Sequence, residues 1–493
     1  MTDEKLAVEI GKAVKAKGGR AFFVGGKTRN LMMRQMGYLV EKNDKDIDIE
    51  VYFLPKDILE KILSKFGEVN FVGKAFGVFK LNNNIDIALP RKEIQGKINH
   101  NEKTIILPRT NDVDLIQIKE RYPDYQIKIC PHVPFGHKDF IIISDPFLSY
   151  REACKRRDFT INSILVDIIT KEIIDPYNGI QDIKKGVIRA TNPKAFIEDA
   201  LRVYRAVQFA ARFGFTIDDD TKKLCRQIDL SSLPKERVYA ELEKLLLLSK
   251  KPSIGFNYMK ELGVLRYHPL LQALVDCPQD PTHHPEGSVW NHTMMVIDEA
   301  AKRKEQSKNP VSFMWAALLH DIGKPATTEA RDGKITTYNH DKKGKDLAIA
   351  YMKTLTRNKK LISEVATLVE HHMKPMFYQK SKDTIKDGAF LKLATKVNLK
   401  DLILLSTCDR LGRLGVDVEQ EEREMLWFKN RCERLNILED KPHPIITGKL
   451  LLTLGYKPGP RMGKIIKEAY QMQLKNNWGQ EQLVNFVLQY PPN

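Results

Sequence analysis

Apolar and polar positions alternate strictly along one stretch near the N-terminus, EKNDKDIDIEVYFLP at residues 41–55. Ile47, Ile49 and Val51 fall on one side and Asp46, Asp48 and Glu50 on the other, the period-two pattern of a β-strand. The apolar side is predicted to face a core. The three acids are predicted to share the opposite face, where like charges repel, and a divalent cation is the simplest remedy. Elsewhere the period changes. Residues 1–19 read as an amphipathic helix ending at Gly18-Gly19, and RAFFVGGKTRNLMMRQMG reads as strand, glycine turn and helix. A helix over 56–66 and the strands NFVGKAFGVFKL and NIDIALP follow, so the first part is α/β. Residues 92–145 hold strand-like pieces split by Pro, Asn and Gly, the pattern of an insertion or a mobile flap. From about residue 190 the pattern is helical, with breaks at SKKPSIG, DCPQDPTHHPEG and EDKPHPIITG.

Composition narrows the class. A chain of 493 residues is too long for one core and suggests about three or four domains. Hydrophobic content of 42% with 29% charged residues fits a folded protein. No apolar run approaches the length of a membrane span, and the N-terminal helix lacks the apolar core of a signal peptide. The six cysteines are scattered without a CxxC pair, which points to a reducing cytosol and away from disulfides or a thiolate zinc site. Lys plus Arg outnumber Asp plus Glu by 80 to 63, a net +17 that favours a polyanion such as nucleic acid or nucleotides.

Candidate chemistry begins at Gly25-Gly26, which follow a strand and open a helix. Backbone amides at such a turn hold phosphate, and Lys27 and Arg29 add positive charge. Beside a carboxylate pair able to hold Mg²⁺, these are working parts of phosphoryl or nucleotidyl transfer. A glycine hairpin with an acidic strand edge is the plainer reading. Further on, KRRDFTINSILVD sets Arg156, Arg157 and Asp158 before an amphipathic segment with Asn162. FIEDALRVYRAVQFAARFGF reads as one helix, 196–215, with Asp199, Arg202 and Arg205 at i, i+3 and i+6 on one face. An Asp acceptor beside an Arg fork can meet the edge of a base, or can form an intrahelical salt bridge.

The ordered set FFVGGKTRN, DIDI, DIALPRKE, RRDFTINSI, EDALRVYRAVQFAARFGF and ERVYAELEKLL resembles the class II tRNA nucleotidyltransferases, the CCA-adding enzymes, and their relatives the bacterial poly(A) polymerases. The resemblance covers roughly residues 20–91 and 145–250. It implies that Asp46 and Asp48 bind two Mg²⁺ ions, activating the RNA 3′-hydroxyl and bracing the triphosphate. Gly25, Gly26 and Arg29 would hold the triphosphate, and Arg157 and Asp158 would contact the ribose, with Asn162 in the same nucleotide site. Asp199 and Arg202 would read CTP or ATP, Arg205 would lie near the phosphates, and Asp86 is a candidate third carboxylate. Two departures stand out. Asn30 occupies a position that is usually Asp, which puts a supporting hydrogen bond in doubt. The gap from Arg91 to Arg157 is also long, which admits an extra module.

A second constellation lies in the middle. His292 falls on an amphipathic helix, His320-Asp321 ends another, and His340, His371-His372 and Asp409 follow in order. This order resembles the HD phosphohydrolase superfamily. Histidine nitrogens and carboxylate oxygens suit a divalent transition metal or Mg²⁺, which lowers the pKa of bound water for attack on a phosphoester. The set suffices for one ion and is open to two. A silent HD fold kept as a spacer is the alternative, and Lys324 is open to phosphate or to solvent. His268, His283 and His443 are left out as ordinary core or surface histidines. The C-terminal PIITGKLLLTLGYKPGPRMGKIIKEAYQMQLKN resembles the end of HD-bearing CCA-adding enzymes.

The expectation is therefore an α+β protein. A polymerase-beta-like nucleotidyltransferase head spans 1–185, with an insertion at about 92–145. A helical neck and RNA-binding domain (186–275), an HD domain (276–435) and a helical tail (436–493) follow. The resemblance implies addition of C, C and A to the tRNA 3′ end from CTP and ATP in the cytoplasm, with no membrane and no obligate protein partner. It also implies that the HD site acts as a metal-dependent phosphohydrolase or 2′,3′-cyclic phosphodiesterase on RNA ends. The rivals are a poly(A) polymerase, an HD phosphohydrolase whose head only binds RNA, and a non-enzymatic basic RNA-binding module.

Overall fold

Helix α1 (Asp3–Lys15) forms where its pattern predicts. The Thr2 hydroxyl caps it by accepting from Lys5 N, Asp3 and Glu4 sit at its positive end, and Lys12 and Lys15 sit at its negative end. Leu6, Ala7, Ile10 and Val14 are its buried stripe. This chain is seen in a computed structural model that describes residues 2–40, 47–72, 78–82, 84–108, 112–131, 140–331 and 333–491. It divides into two compact units, Met1–Ser232 and Leu233–Asn493.

In the first unit, β1 (Arg20–Phe23) leads through Gly25 into α2 (Gly26–Gln35). Then come β2 (Ile47–Tyr52), α3 (Lys56–Leu63), β3 (Val69–Val72), β4 (Val78–Leu81) and β5 (Ile85–Ala88). The 92–145 region supplies β6 (Arg91–Gln95), β7 (Lys97–Asn99), β8 (Thr104–Leu107), α4 (Asp112–Arg121), β9 (Gln126–Ile129) and β10 (Phe140–Ser144). After it run α5 (Tyr150–Cys154), β11 (Leu165–Asp167), β12 (Ile173–Ile174), α6 (Gly179–Lys185), α7 (Pro193–Glu198), α8 (Leu201–Phe213) and α9 (Asp219–Gln227).

Seven strands make one sheet in the order β12-β11-β1-β2-β5-β4-β3. Strands β2 and β5 run parallel, in a register that sets Asp48 beside Asp86 and Ile49 beside Ile87. Ile47, Ile49 and Val51 are buried in one apolar cluster with α1 and α3, as the alternation predicts. The other face differs from expectation. Among the described residues of that face of β2, Asp48 is open to solvent. Tyr52 is buried there among Phe22, Leu148, Ala153 and Leu165, and Glu50 is buried too.

The inserted region is a folded module among the described residues. β6 pairs antiparallel with β10, and β7 with β8, while β8 and β9 lie parallel on either side of α4 in sequence. Ile105, Leu107, Ile118, Ile141 and Ile143 form its core. Proline and asparagine split the sequence pattern into pieces too short to carry a period, yet β-branched residues at alternate positions still meet across the strands.

The second unit is helical, with one small hairpin among its described residues, Glu329–Arg331 with Lys334–Thr336, that the helical pattern did not predict. Its helices are α10 (Lys235–Leu248), α11 (Ser253–Glu261), α12 (Pro269–Gln272), α13 (Val289–Arg303), α14 (Pro310–Leu319), α15 (His340–Leu355) and α16 (Lys359–His371). They continue with α17 (Lys374–Lys380), α18 (Asp387–Ala394), α19 (Leu399–Leu411), α20 (Val418–Arg434), α21 (Gly448–Thr453), α22 (Pro460–Asn476) and α23 (Gln480–Val487). Helix α14 is buried along the whole run Ser312–Leu319, as a helix apolar on every side must be. It packs against α13, α16 and α19. The last three helices enclose their own cluster around Leu451, Ile465 and Leu483.

Candidate active sites

The first site lies where β1 turns into α2. Gly25 takes φ +66°, a conformation that side chains resist. A β-carbon there would also stand 3.2 Å from an Asp48 carboxylate oxygen, so the glycine lets the turn approach the acidic strand. Gly26 is the first residue of α2. Asp46 lies outside the described residues. Asp48 is exposed on the open end of β2, and Asp86 is its cross-strand neighbour. Asp86 Oδ1 is buried without a hydrogen-bond partner, and Lys80 stands 3.9 Å away. Two carboxylates in register, one with an unsatisfied oxygen, fit a divalent cation.

The third acid of the alternation is different. Glu50 is buried and receives Arg156 at one oxygen and Arg157 at the other, both at 3.2 Å, with the Tyr52 hydroxyl at 3.0 Å. Burial pushes its pKa up, but the Arg157 and Arg156 charges override this and hold it below the ordinary value. The counter-charge expected between the acids is therefore a pair of guanidiniums at this end of the strand.

The remaining residues assemble around Asp158. Its Oδ1 accepts from Phe159 N and from the Asn162 side chain, and its Oδ2 accepts from Arg205 Nε at 2.7 Å. Burial opposes ionisation of Asp158, and Arg205 with Asn162 outweighs it, so its pKa is lowered. Asn162 Oδ1 accepts from Arg29 Nη1 at 2.8 Å, and the Arg29 guanidinium lies over the Phe209 and Phe213 rings. Asn30 resolves the doubt raised by its identity: its Oδ1 accepts from both Nε and Nη2 of Arg29, at 3.1 and 2.9 Å. An amide oxygen can accept two such bonds without a charge. Arg29, Arg157, Asp158, Asn162 and Arg205 thus form one network that ties α2, β2 and α8 together.

Asp199 requires a correction. Residues 196–215 are not one helix. α7 ends at Glu198, Asp199 is extended (φ −120°, ψ 100°), and α8 begins at Leu201. Asp199 Oδ1 instead accepts from Leu201 N. Such a residue competes with helix continuation by bonding the backbone itself. Arg202 is buried and donates from both terminal nitrogens to the carbonyls of Ala195 and Arg156. It thereby clamps the kink to the segment that carries Arg157.

The second site is built from histidines whose orientation the backbone sets. His320, His340 and His372 each place Nδ1 within 2.7–2.9 Å of the carbonyl three residues earlier, in Ala317, Thr337 and Val369. A carbonyl only accepts, so Nδ1 carries the proton and Nε2 presents a lone pair. Those Nε2 atoms converge on Asp321. Its Oδ2 lies 3.2 Å from His320 and 3.8 Å from His292, and its Oδ1 lies 3.5 Å from His340 and 3.9 Å from His372. His292 Nε2 is also 3.0 Å from Asp409 Oδ1.

Two ligand triplets share Asp321, His292–His320–Asp321 and Asp321–His340–His372, each with its atoms within 4.8 Å of one another, and a third group joins His284, Glu286 and His292. His320 Nε2 is buried without a hydrogen-bond partner, and Asp321 Oδ2 faces it at 3.2 Å with the Lys324 ammonium at 2.7 Å. An unsatisfied imidazole nitrogen, in a set of imidazole nitrogens and carboxylate oxygens, fits a divalent metal. Burial alone would raise the pKa values of Asp321 and Asp409, but their basic neighbours hold both well below the carboxylate range.

His371 does not join this cluster. Consecutive helical residues point about 100° apart, and His371 instead stands 3.9 Å from Glu370. Sequence reasoning also missed residues from the break at 276–287. Glu286 Oε1 lies 2.9 Å from His292 Nδ1 and 2.8 Å from His284 Nδ1, and Gln279 Oε1 accepts from Lys324 Nζ. Lys324 itself is buried, 2.7 Å from Asp321 Oδ2. The HPEG string just ahead of the His292 helix was the available signal, but its turn residues made it read as a linker.

Comparison with known proteins places these sites in context. The model for the poly A polymerase head domain matches residues 21–189. The model for a probable RNA and SrmB-binding site of polymerase A matches 214–274, and the HD domain model matches 289–414. The multifunctional CCA protein of Stenotrophomonas maltophilia (strain K279a) is 34% identical over 303 residues, 60% of this chain and 71% of that protein. The protein of the same name from Pasteurella multocida (strain Pm70) is 33% identical over 309 residues, 59% of this chain and 71% of that one. A Bacillus stearothermophilus CCA-adding enzyme in complex with CTP superposes with a TM-score of 0.61 at 18% identity, covering 99% of this chain and 98% of that one. A Thermotoga maritima CCA-adding enzyme complexed with tRNA gives 0.54 at 19% identity, covering 98% and 94%. Both structures share the fold.

Proposed function

The chain belongs to the multifunctional CCA protein family, and we propose that it adds C, C and A to tRNA 3′ ends from CTP and ATP. The single observation that carries this reading is the approach of the Gly25 turn to the Asp48 carboxylate, with Arg29, Arg157 and Asp158 wired around it. Mg²⁺ is the ion assigned to Asp46 and Asp48, and when bound it supplies the charge that favours a 3′-oxyanion and a bound triphosphate. The chain's own groups do the rest. Gly25 and Gly26 offer backbone amides to phosphate, and Arg29 adds a guanidinium that Asn30 and Asn162 hold in place. Arg157 and Asp158 meet the ribose, and Arg205, tied to Asp158, stands toward the phosphates. Asp199 reads the base from an extended kink, with Arg202 fixing the geometry of that kink.

The HD cluster takes a divalent transition metal or Mg²⁺ at His292, His320, Asp321, His340, His372 and Asp409. When bound, the metal supplies a water acidic enough to attack a phosphoester. The backbone carbonyls and Glu286 hold the imidazoles in their ligand tautomer. The substrate class is a damaged RNA 3′ end, a 2′,3′-cyclic phosphate or a terminal phosphomonoester. No helix among the described residues is long and apolar enough to cross a membrane, and the site of action is assigned to the cytoplasm.

The test is a tRNA lacking its CCA end, incubated with CTP, ATP or both. Ordered growth by three nucleotides that needs both substrates is expected. Homopolymer growth with ATP alone would replace this reading with a poly(A) polymerase.

A further inference from the structure

Arg413 stands at Asp409, the more exposed of the two cluster carboxylates, and has no part in the scheme above. It follows the last residue of α19 by two positions, and its Nη2 is 3.6 Å from Asp409 Oδ1. We propose that Arg413 grips the phosphoryl group of an RNA 3′ end at the HD cluster, an assignment that rests on the phosphohydrolase reading above.

Four observations support it. The first is position. The side chains of His292 and His320 are fully buried, while Asp409 keeps 9% exposure and His340 10%, and Arg413 keeps 23% beside Asp409, so a ligand that enters at the Asp409 side meets Arg413. The second is incomplete pairing. The 3.6 Å separation is longer than a good hydrogen bond, and Arg413 Nε is shut away from solvent with no acceptor. A guanidinium so placed still has donors to offer, and its planar fork matches two oxygens of one phosphate.

The third is rigidity. A β-carbon at Gly412 would stand 2.4 Å from a Val296 methyl carbon, so α19 meets α13 there in a contact that leaves no room for a side chain. The Gly412 carbonyl lies 3.2 Å from His292 Nδ1. The backbone that carries Arg413 is therefore anchored to a ligand of the cluster. The fourth is company. Leu414 N donates to Glu286 Oε2 at 3.4 Å, so the segment that carries Arg413 meets the 276–287 segment beside the cluster. The role of Arg413 is to bind.

The test uses the full-length protein loaded with Mn²⁺ and the variants R413A, R413Q and R413K. Two readings are taken, hydrolysis of 2′-AMP and calorimetric binding of inorganic phosphate, with metal content measured in each variant. In R413A and R413Q, KM for 2′-AMP and the dissociation constant of phosphate should both rise about tenfold or more at unchanged metal content. R413K should recover part of the affinity as a point charge without the fork. Phosphate affinity unchanged in R413Q overturns the proposal, and so does a loss that only tracks loss of metal, since Arg413 would then merely support Asp409. A wild-type protein that binds phosphate but hydrolyses nothing refutes the phosphohydrolase reading, and the phosphate titration still judges Arg413.

Discussion

The two sites solve the problem of crowded charge in opposite ways. In the head, buried Glu50 and Asp158 meet guanidiniums from the same chain, Arg156 and Arg157 for one and Arg205 for the other. Among the described residues that network is internally neutralised, and Asp48 and Asp86 lie at its solvent-exposed edge. In the HD cluster, Asp321 and Asp409 face a ring of imidazole lone pairs, with Lys324 beside Asp321 alone, and the buried His320 Nε2 has no hydrogen-bond partner. Adjacent acids in a sequence therefore do not by themselves announce a metal. What decides is whether the fold supplies arginines or leaves converging lone pairs.

The largest effects should separate the two sites. Asp48→Ala is expected to lower nucleotide incorporation by on the order of a thousandfold or more, while hydrolysis of 2′,3′-cyclic AMP is retained. Asp321→Ala should do the reverse and strip the bound transition metal. Incorporation that survives Asp48→Ala would leave the head as an RNA-binding module only.

Next is Glu50→Gln, which tests whether the head acid is structural. It leaves two guanidiniums facing a neutral amide in a buried position and should cost about 3 kcal/mol in the stability of the first unit, read by denaturant unfolding. The sign with pH follows from its lowered pKa. Glu50 contributes stability that is present above the unfolded carboxylate value of about 4.3 and is lost as pH falls through the folded value. The wild type should therefore lose stability in acid more steeply than the Gln variant. Identical acid profiles would show that Glu50 carries no such burden.

Within the HD cluster, two neighbouring histidines offer a sharper contrast. His372→Ala is expected to weaken metal binding about ten- to a hundredfold. His371→Ala should leave metal affinity unchanged, since its ring lies apart from the cluster. Equilibrium dialysis against Mn²⁺ distinguishes them, and the opposite ranking would mean that helix α16 presents the wrong face here.

The strand alternation at Ile47–Val51, the glycine turn and the HD ordering were all legible in the sequence, because each is a local pattern with a fixed period or spacing. The inserted module was not, since its strands are three to five residues long and find partners only across the module. The break of the predicted 196–215 helix at Asp199 was hidden for a related reason. A helical period survives a one-residue kink, and only the side-chain bond to Leu201 N reveals it. The roles of Gln279, His284 and Glu286 were masked by their turn-forming neighbours, because composition marks a loop without saying what it folds over.

The smallest expected effect concerns Asn30, where the sequence departs from the usual aspartate. Asn30 and Arg29 are both buried, and one amide oxygen already accepts two bonds from the guanidinium. Asn30→Asp makes those bonds charge-assisted and shorter, but it must also bury a carboxylate, and the two terms largely offset. Stability should change by less than about 1 kcal/mol, and incorporation of CTP and ATP should stay within about threefold of wild type. Asn30→Ala removes the acceptor and frees the Arg29 fork from one of its anchors, so it should cost incorporation about tenfold, with the loss falling on nucleotide KM. If Asn30→Ala proves harmless while Asn30→Asp raises activity strongly, geometry at this position is irrelevant and charge alone matters. The amide would then be a weakness of this chain, and the head network would depend less on its hydrogen bonds than the contrast with the HD cluster requires.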